Sequence, residues 1–292
     1  MQDTSAFTPQ LTADGSFTFF STEFGEYFHS TQGAKEEALL KFAEPCQLVQ
    51  KAQQPVVRLL DVCYGLSYNT AAALEVIWQN NPNCYVEVVA LELDPTVPRT
   101  AITNQLLDSW SPPIPELLEK LATSLQVQTD QLHAQLLLGD ARATIQKLHQ
   151  SNFQADAIFL DPFSPRRCPQ LWTVEFLQCL ARCCTLTGRL ATYSCAAAVR
   201  SALMAAGFQI GPTPPLKGRQ PGTVASFSQA DLPPLSLRSQ EHLQTRAAVP
   251  YRDPQLCDRA QVILQRRQTE QQDSSLEPSS HWQKRWSNSI NS

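Results

Sequence analysis

Four acidic residues close four apolar runs of the chain: Asp61 ends VVRLLD, Glu92 ends YVEVVALE, Asp140 follows QLHAQLLLG and Asp161 ends ADAIFLD. A carboxylate delivered by the end of a buried strand is fixed by the backbone and projects beyond the sheet, where it can accept hydrogen bonds from ligand hydroxyls and amino groups. Glu92 lies 27 residues beyond Gly65, a little past the ~20-residue spacing at which such an acid meets a ribose diol. Asp140, with Ala141 beside it, is placed to accept from an adenine amino group at a cleft edge. Asp161 is followed by Pro162, Phe163, Ser164 and Pro165, a stiff loop that suits another task. A primary alkylamine is largely protonated at neutral pH and attacks only through its neutral lone pair. A carboxylate beside a rigid proline and an aromatic ring can hold that amine in line and take its proton. The plain alternative is a set of surface acids at strand ends, and at this point both readings stand.

The elements that must position these residues are legible from hydrophobic periodicity. VVRLLDVCYGLSYNTAAALEVIW, Val56 to Trp78, reads as strand, tight turn and helix, with Asp61, Tyr64, Gly65 and Tyr68 spanning the turn as cofactor contacts. Only Gly65 is a clear turn glycine, since Ser67 stands where a stricter G-x-G pattern would have a second. Further apolar runs alternate with helical spacing to give β-α-β-α-β-α-β-α-β-α-β-β, with residues 108–130 a proline-containing excursion. The consequence is an α/β fold with a mostly parallel seven-stranded sheet covered by helices on both faces. Before it, residues 11–30 alternate aromatic and polar residues and predict a small β-hairpin, followed by a helix over 33–44. His29 stands between them, as a ligand contact or as a structural histidine. The expected division is an N-terminal extension (1–45), a Rossmann-like domain (46–230) and a basic C-terminal extension (231–292) ending in a disordered tail, with a short helix over 254–267.

Composition narrows the function classes. With 292 residues, 42% of them hydrophobic, the chain can bury a sizeable core. A net charge of −4 argues against a protein that attracts nucleic acid by its overall field, so any such binding needs a local patch. Arg166 and Arg167, directly after the Asp161 loop, and Lys217 and Arg219 in a Gly/Pro-rich loop are the best placed. Arg246, Arg252 and Arg259 form an auxiliary set. The nine cysteines include no C-x-x-C pair and read as free thiols rather than a metal site. No apolar run reaches the ~18 residues of a membrane span, and the N-terminus does not read as a signal peptide, so a cytoplasmic protein without membrane or metal is expected.

Acids after successive strands and a fourth strand ending in Asp-Pro-Phe form the layout of class I S-adenosylmethionine-dependent methyltransferases, and the loop is similar to the Asp/Asn-Pro-Pro-aromatic loop of amino-group methyltransferases. The segments FHSTQGAKEEALLKF, LLDVCYGLSYNT, ALELDP, LLGDAR, AIFLDPFSPRRCPQLWT and GRLATYSCAAAVRSALMAAGF resemble the methyltransferase domain of the MnmC family over roughly residues 10–228. The resemblance implies methylation of an aminomethyl group on the wobble uridine in the tRNA anticodon loop. It places Asp161, with Phe163, at the amine, and Gly65, Glu92 and Asp140 at S-adenosylmethionine. It also implies a separate enzyme supplying the aminomethyl uridine, since no second G-x-G-x-x-G unit is present and no FAD is expected. Ser67 departs from the family's turn glycine, and Phe163 replaces the second proline of the loop. Three other readings remain. One is a small-molecule amino-group methyltransferase, and another an aminopropyltransferase, which would need a second acid beside Asp161. The third is a binding protein that has lost the chemistry.

Overall fold

The computed structural model of the chain describes residues 7–215, 220–230 and 232–288. Its centre is one eight-stranded sheet: β1 (Val56–Val62), β2 (Tyr85–Glu92), β3 (Gln126–Gln128), β4 (Leu132–Leu138), β5 (Ala155–Leu160), β6 (Cys184–Thr192), β7 (Gln209–Pro212) and β8 (Thr223–Ser226), in the order β7-β8-β6-β5-β1-β2-β4-β3. The five central strands are parallel, and the pairings β6–β8, β7–β8 and β3–β4 are antiparallel. The eighth strand, β3, falls in the excursion where the sequence showed none. Three residues with one inward apolar side chain, Val127, are too short for an alternation to register. The chain runs outward from β1 through β2 to β4 and then returns to β5 on the other side of β1. The C-terminal ends of β1 and β5 therefore flank the switch point, where open α/β sheets form their ligand crevice.

The strands are apolar because both faces are covered. Every residue of β5 is buried. On one face, α2 (Tyr68–Asn80) presents Ala71, Ala72 and Ala73, fully buried, and their small side chains let the helix lie close to the sheet. The same cluster takes in Phe19 and the helix α1 (Ala34–Ala38), with Phe42 and Ala43 from the π-turn Leu39–Ala43 that continues it. Burying one such phenylalanine contributes about 1.5–3 kcal/mol. The other face holds α5 (Ala141–Gln150), α6 (Val174–Arg182) and α7 (Ala197–Ala205), together with Tyr251 and Ile263 from beyond the last strand. Helices α3 (Thr96–Thr103) and α4 (Ile114–Ser124) complete the first face.

The C-terminal residues expected to be disordered are helical: α8 spans Ala260–Asp273, later than the 254–267 read from sequence, and α9 spans Ser279–Asn288. What orders this polar stretch is a few anchors. Ile263 is fully buried, Trp282 is buried with His242 stacked on it at 4.1 Å, and the Arg246 amide donates to the Glu277 carbonyl at 2.9 Å. All nine cysteines are free thiols. No helix among the described residues is long and apolar enough to cross a membrane.

Candidate active site

A cleft of about 950 Å³ opens over the C-terminal ends of β1, β2, β4 and β5. Its floor is the turn from β1 into α2, in which Cys63, Gly65 and Ser67 all have positive φ (67°, 55° and 72°). Glycine adopts this conformation freely, whereas serine pays on the order of 1 kcal/mol for it. Ser67 nevertheless takes the left-handed conformation a glycine would supply, so the turn keeps its shape. The Gly65 amide, at its apex, donates to Glu92 Oε2 at 2.8 Å, and the other carboxylate oxygen accepts from the Leu93 and Asp94 amides at 2.8 and 2.9 Å. Burial raises the Glu92 carboxyl above its ordinary range, against the pull of those three amides. Oε2, which accepts a single amide, keeps a lone pair for a ligand hydroxyl.

Asp140 sits at the opposite lip. It caps α5 by accepting from the Arg142 amide at 2.9 Å, and the Arg142 side chain grips both of its oxygens through Nε at 3.1 Å and Nη2 at 2.7 Å. Partial burial would raise its carboxyl, but Arg142 outweighs burial and holds it below the usual range. Ala141 lines the cleft beside it, and Leu93, 65% exposed, adds apolar surface between the two acids.

Asp161 stands at the end of β5. Its Oδ2 accepts from Asn69 Nδ2 at 2.8 Å and lies 3.8 Å from His29 Nδ1. Burial and the nearby Glu37 carboxylate push the Asp161 carboxyl well above its ordinary value, while burial lowers His29 against the pull of Glu37. A neutral imidazole beside a carboxyl poised to hold a proton is the consequence. The loop carrying Asp161 is pinned through its carbonyls: Tyr193 Oη donates to Pro162 O and Trp172 Nε1 to Phe163 O, both at 2.9 Å. Cys63 and Cys168 also line the cleft. Burial drives the Cys63 thiol well up and the Cys168 thiol to about 12, so neither is a ready nucleophile.

The N-terminal ribbon Phe20–Ser21 and Glu26–Tyr27 closes the cleft from above. The Ser164 amide (2.9 Å) and hydroxyl both donate to the Glu26 carboxylate. Phe24 stacks on Phe163 with ring centroids 4.3 Å apart, and Phe28 meets the same ring edge-on at 5.1 Å. Arg166 and Arg167 are exposed at the mouth, where the Arg167 guanidinium lies beside Gly25.

Of the residues expected from sequence, Gly65, Glu92, Asp140, Ala141, Asp161, Phe163, His29, Arg166 and Arg167 all line this cleft. Lys217 and Arg219 lie outside the described residues. Asp61, Tyr64 and Tyr68 do not line it. β1 runs on to Val62, so Asp61 is inside the strand rather than past its end; it is fully buried and accepts from Thr70 Oγ1 at 2.6 Å. Burial pushes its carboxyl up to about 7. Tyr64 is buried with its phenol raised by burial. The Tyr68 hydroxyl is spent on the Phe17 amide at 3.2 Å and the Leu106 carbonyl at 3.0 Å, tying the N-terminal segment to α2. Two of the three auxiliary arginines are engaged within the fold. Arg246 bonds the Leu276 carbonyl at 3.2 Å and Arg252 the Glu175 carboxylate at 2.7 Å. Arg259 is exposed. Sequence reasoning missed Glu26, Glu37, Asn69 and Arg142. Asn69, a polar residue of the turn, and Arg142, two residues after Asp140, carried a signal; Glu26 and Glu37 come from elements whose meeting no spacing shows.

The donor set suits a cationic ligand bearing a ribose and a purine. Glu26, Glu37, Glu92, Asp94, Asp140 and Asp161 line the cleft, as does Gln170, whose buried carbonyl oxygen has no hydrogen-bond partner among the described residues. Among the described residues no group of three or more His, Cys, Asp or Glu side chains is arranged to hold a metal ion.

Comparison with known proteins identifies the family. Residues 99–228 match a family model described as S-adenosyl-L-methionine-dependent methyltransferase. The crystal structure of MnmC2 from Aquifex aeolicus is 33% identical and superposes with a TM-score of 0.81, covering 93% of this chain and 87% of that one. The uncharacterized protein MJ0670 of Methanocaldococcus jannaschii is 29% identical over 269 residues, 88% of this chain and 70% of its own length. The tRNA 5-methylaminomethyl-2-thiouridine biosynthesis bifunctional protein MnmC of an Acidovorax species is 29% identical over 224 residues; the match covers 72% of this chain and only 34% of that protein. The chain belongs to the MnmC family of methyltransferases, enzymes that use S-adenosylmethionine.

Proposed function

We propose that the protein transfers a methyl group to the 5-aminomethyl nitrogen of wobble (2-thio)uridine in tRNA, giving 5-methylaminomethyl(-2-thio)uridine. S-adenosylmethionine, when bound, supplies an already activated methyl group. Glu92 would hold its ribose hydroxyls, Asp140 its adenine amino group, and the Gly65 turn would allow close approach of the backbone. Asp161 orients the amine and takes the proton that must leave before the lone pair can attack, with Asn69 fixing the carboxyl and neutral His29 standing beside it. The Phe24–Phe163 pair offers a flat apolar surface for the uracil ring, and Arg166 and Arg167 meet phosphates at the mouth. The single observation that carries this reading is the buried Asp161 carboxyl, held at 2.8 Å by Asn69 at the switch point, in a chain related to proteins named for this modification. A partner activity must supply the aminomethyl uridine, and none of the residues described above is assigned to it.

Glu37 bears on the competing aminopropyl reading. It lines the same cleft as Asp161, so the second acid that the loop itself lacks is present in the fold. Membership of a methyltransferase family therefore carries the choice, rather than the absence of an acid. The test is incubation with labelled S-adenosylmethionine and tRNA that carries unmethylated 5-aminomethyl uridine, followed by nucleoside analysis. Label in 5-methylaminomethyl(-2-thio)uridine is the expected result. Label confined to another nucleoside, or to a free small amine added in competition, overturns the assignment.

A further inference from the structure

Arg142 is held by two carboxylates from distant parts of the chain. Its Nε and Nη2 face Asp140 at the cleft, and its Nη1 donates to Asp253 Oδ2 at 2.8 Å and to the Asp258 carbonyl at 2.9 Å. Asp253 is fully buried, and its other oxygen accepts the amides of Cys257 and Asp258, both at 3.1 Å. Its own amide donates to Glu175 at 2.8 Å, which anchors the segment on α6. A carboxylate with no exposure is retained in a fold only where it is paired and hydrogen-bonded, and here each of its oxygens is engaged. Asp253 lies beyond the segment matched by the family model, which ends at residue 228.

We infer that Asp253 is a positioning residue for the cofactor, acting through Arg142 on Asp140. The inference rests on the reading that Asp140 meets the adenine amino group. The charges explain why a second acid is needed. Arg142 gripping Asp140 alone would make a neutral pair whose carboxylate is a weakened acceptor. Two acids sharing one guanidinium leave a net charge of −1, with the exposed end at the cleft. Asp253 also takes the third guanidinium nitrogen, so the fork cannot rotate out of the plane in which it holds both Asp140 oxygens. The C-terminal segment is thereby part of the cofactor site although it contributes no atom to the cleft at this point.

The experiment is a double-mutant cycle read as S-adenosylmethionine Kd by calorimetry on the full chain, with thermal unfolding recorded for each variant. Asp140→Asn is expected to weaken binding about tenfold, the loss of one charge-assisted hydrogen bond. Asp253→Asn keeps an acceptor for the two amides but loses the charge, and is expected to weaken binding about fivefold with tRNA KM unchanged. The double variant should bind no more weakly than Asp140→Asn alone, because Asp253 has no other route to the cofactor. Arg142→Lys, which keeps the charge and loses the fork, should reproduce the Asp253→Asn loss and serves if that variant fails to fold. Arg252→Ala, which loosens the same segment without touching Arg142, should leave Kd unchanged. Additive losses in the double variant, or a wild-type Kd in both Asp253→Asn and Arg142→Lys, overturn the inference while leaving the cofactor site standing. A wild-type Kd in Asp140→Asn overturns both.

Discussion

The two segments flanking the central sheet reach one cleft from opposite faces and by different chemistry. The N-terminal ribbon and α1 pack into the first face and meet the Asp161 loop through stacked rings, Phe24 on Phe163, and through the Glu26 carboxylate that takes both Ser164 donors. The C-terminal segment packs into the second face through Tyr251 and Ile263 and is joined to the acid at the lip of the cleft by the relay of Asp253, Arg142 and Asp140. One side contributes surface against which a substrate can lie. The other contributes charge that fixes a single acid. The difference teaches that an extension can serve a site by covering it or by bracing it, and that a basic composition does not tell which.

The largest effect that would break this comparison lies at the point the N-terminal side protects. Asp161→Asn is expected to lower kcat by about 10²–10⁴-fold with S-adenosylmethionine Kd unchanged, since the carboxyl acts on the amine. Stopped-flow or single-turnover kinetics beside calorimetry checks it, and an equal loss of cofactor affinity would move Asp161 to the cofactor side. Next in size, Phe24→Ala and Glu26→Ala should each cost about tenfold in kcat/KM for tRNA. Neither should move the cofactor Kd, the reverse of the pattern expected for Asp253→Asn. If either N-terminal variant weakens cofactor binding as much as it weakens tRNA turnover, the two sides are not separable.

Replacing Arg166 and Arg167 together by alanine should raise tRNA KM several-fold. Its salt dependence, measured as log KM against log salt, should flatten by about 0.7–0.9 for each phosphate the arginines no longer neutralise. An unchanged KM places the RNA surface elsewhere. A further effect, on stability and not on turnover, concerns the sheet that both segments share. The folded Asp61 carboxyl, raised by burial to about 7, binds a proton that the unfolded chain, near the ordinary 3.8, has released. Its contribution is present below pH 4 and is lost as pH rises to about 7, on the order of 4 kcal/mol at most. Thermal unfolding between pH 5 and 8 should show this fall, and Asp61→Asn should remove much of it. A variant with an undiminished slope would assign the effect to another group.

Local sequence determined the parallel core and, within the proposed chemistry, the groups at the strand ends. Apolar runs such as ADAIFL can only be strands covered on both faces, and the residue after such a strand is carried to the sheet edge whatever surrounds it. That rule placed Gly65, Glu92, Asp140 and Asp161. It failed at Asp61, because the run before it continues one residue further, to Val62, and a side chain inside a strand points into the helix layer instead of out of the end. It could not see β3, whose three residues are too few to alternate, or the order in α8 and α9, which comes from Ile263 and Trp282 finding partners far away in the chain. Only the tertiary structure decided that Asn69 and His29 meet Asp161, that Glu26 binds Ser164 across 138 residues and that Asp253 reaches Arg142 across 111. Periodicity encodes which face of an element is buried. Which two buried or polar groups meet depends on how the faces stack, a property of the packed chain and not of any segment in it.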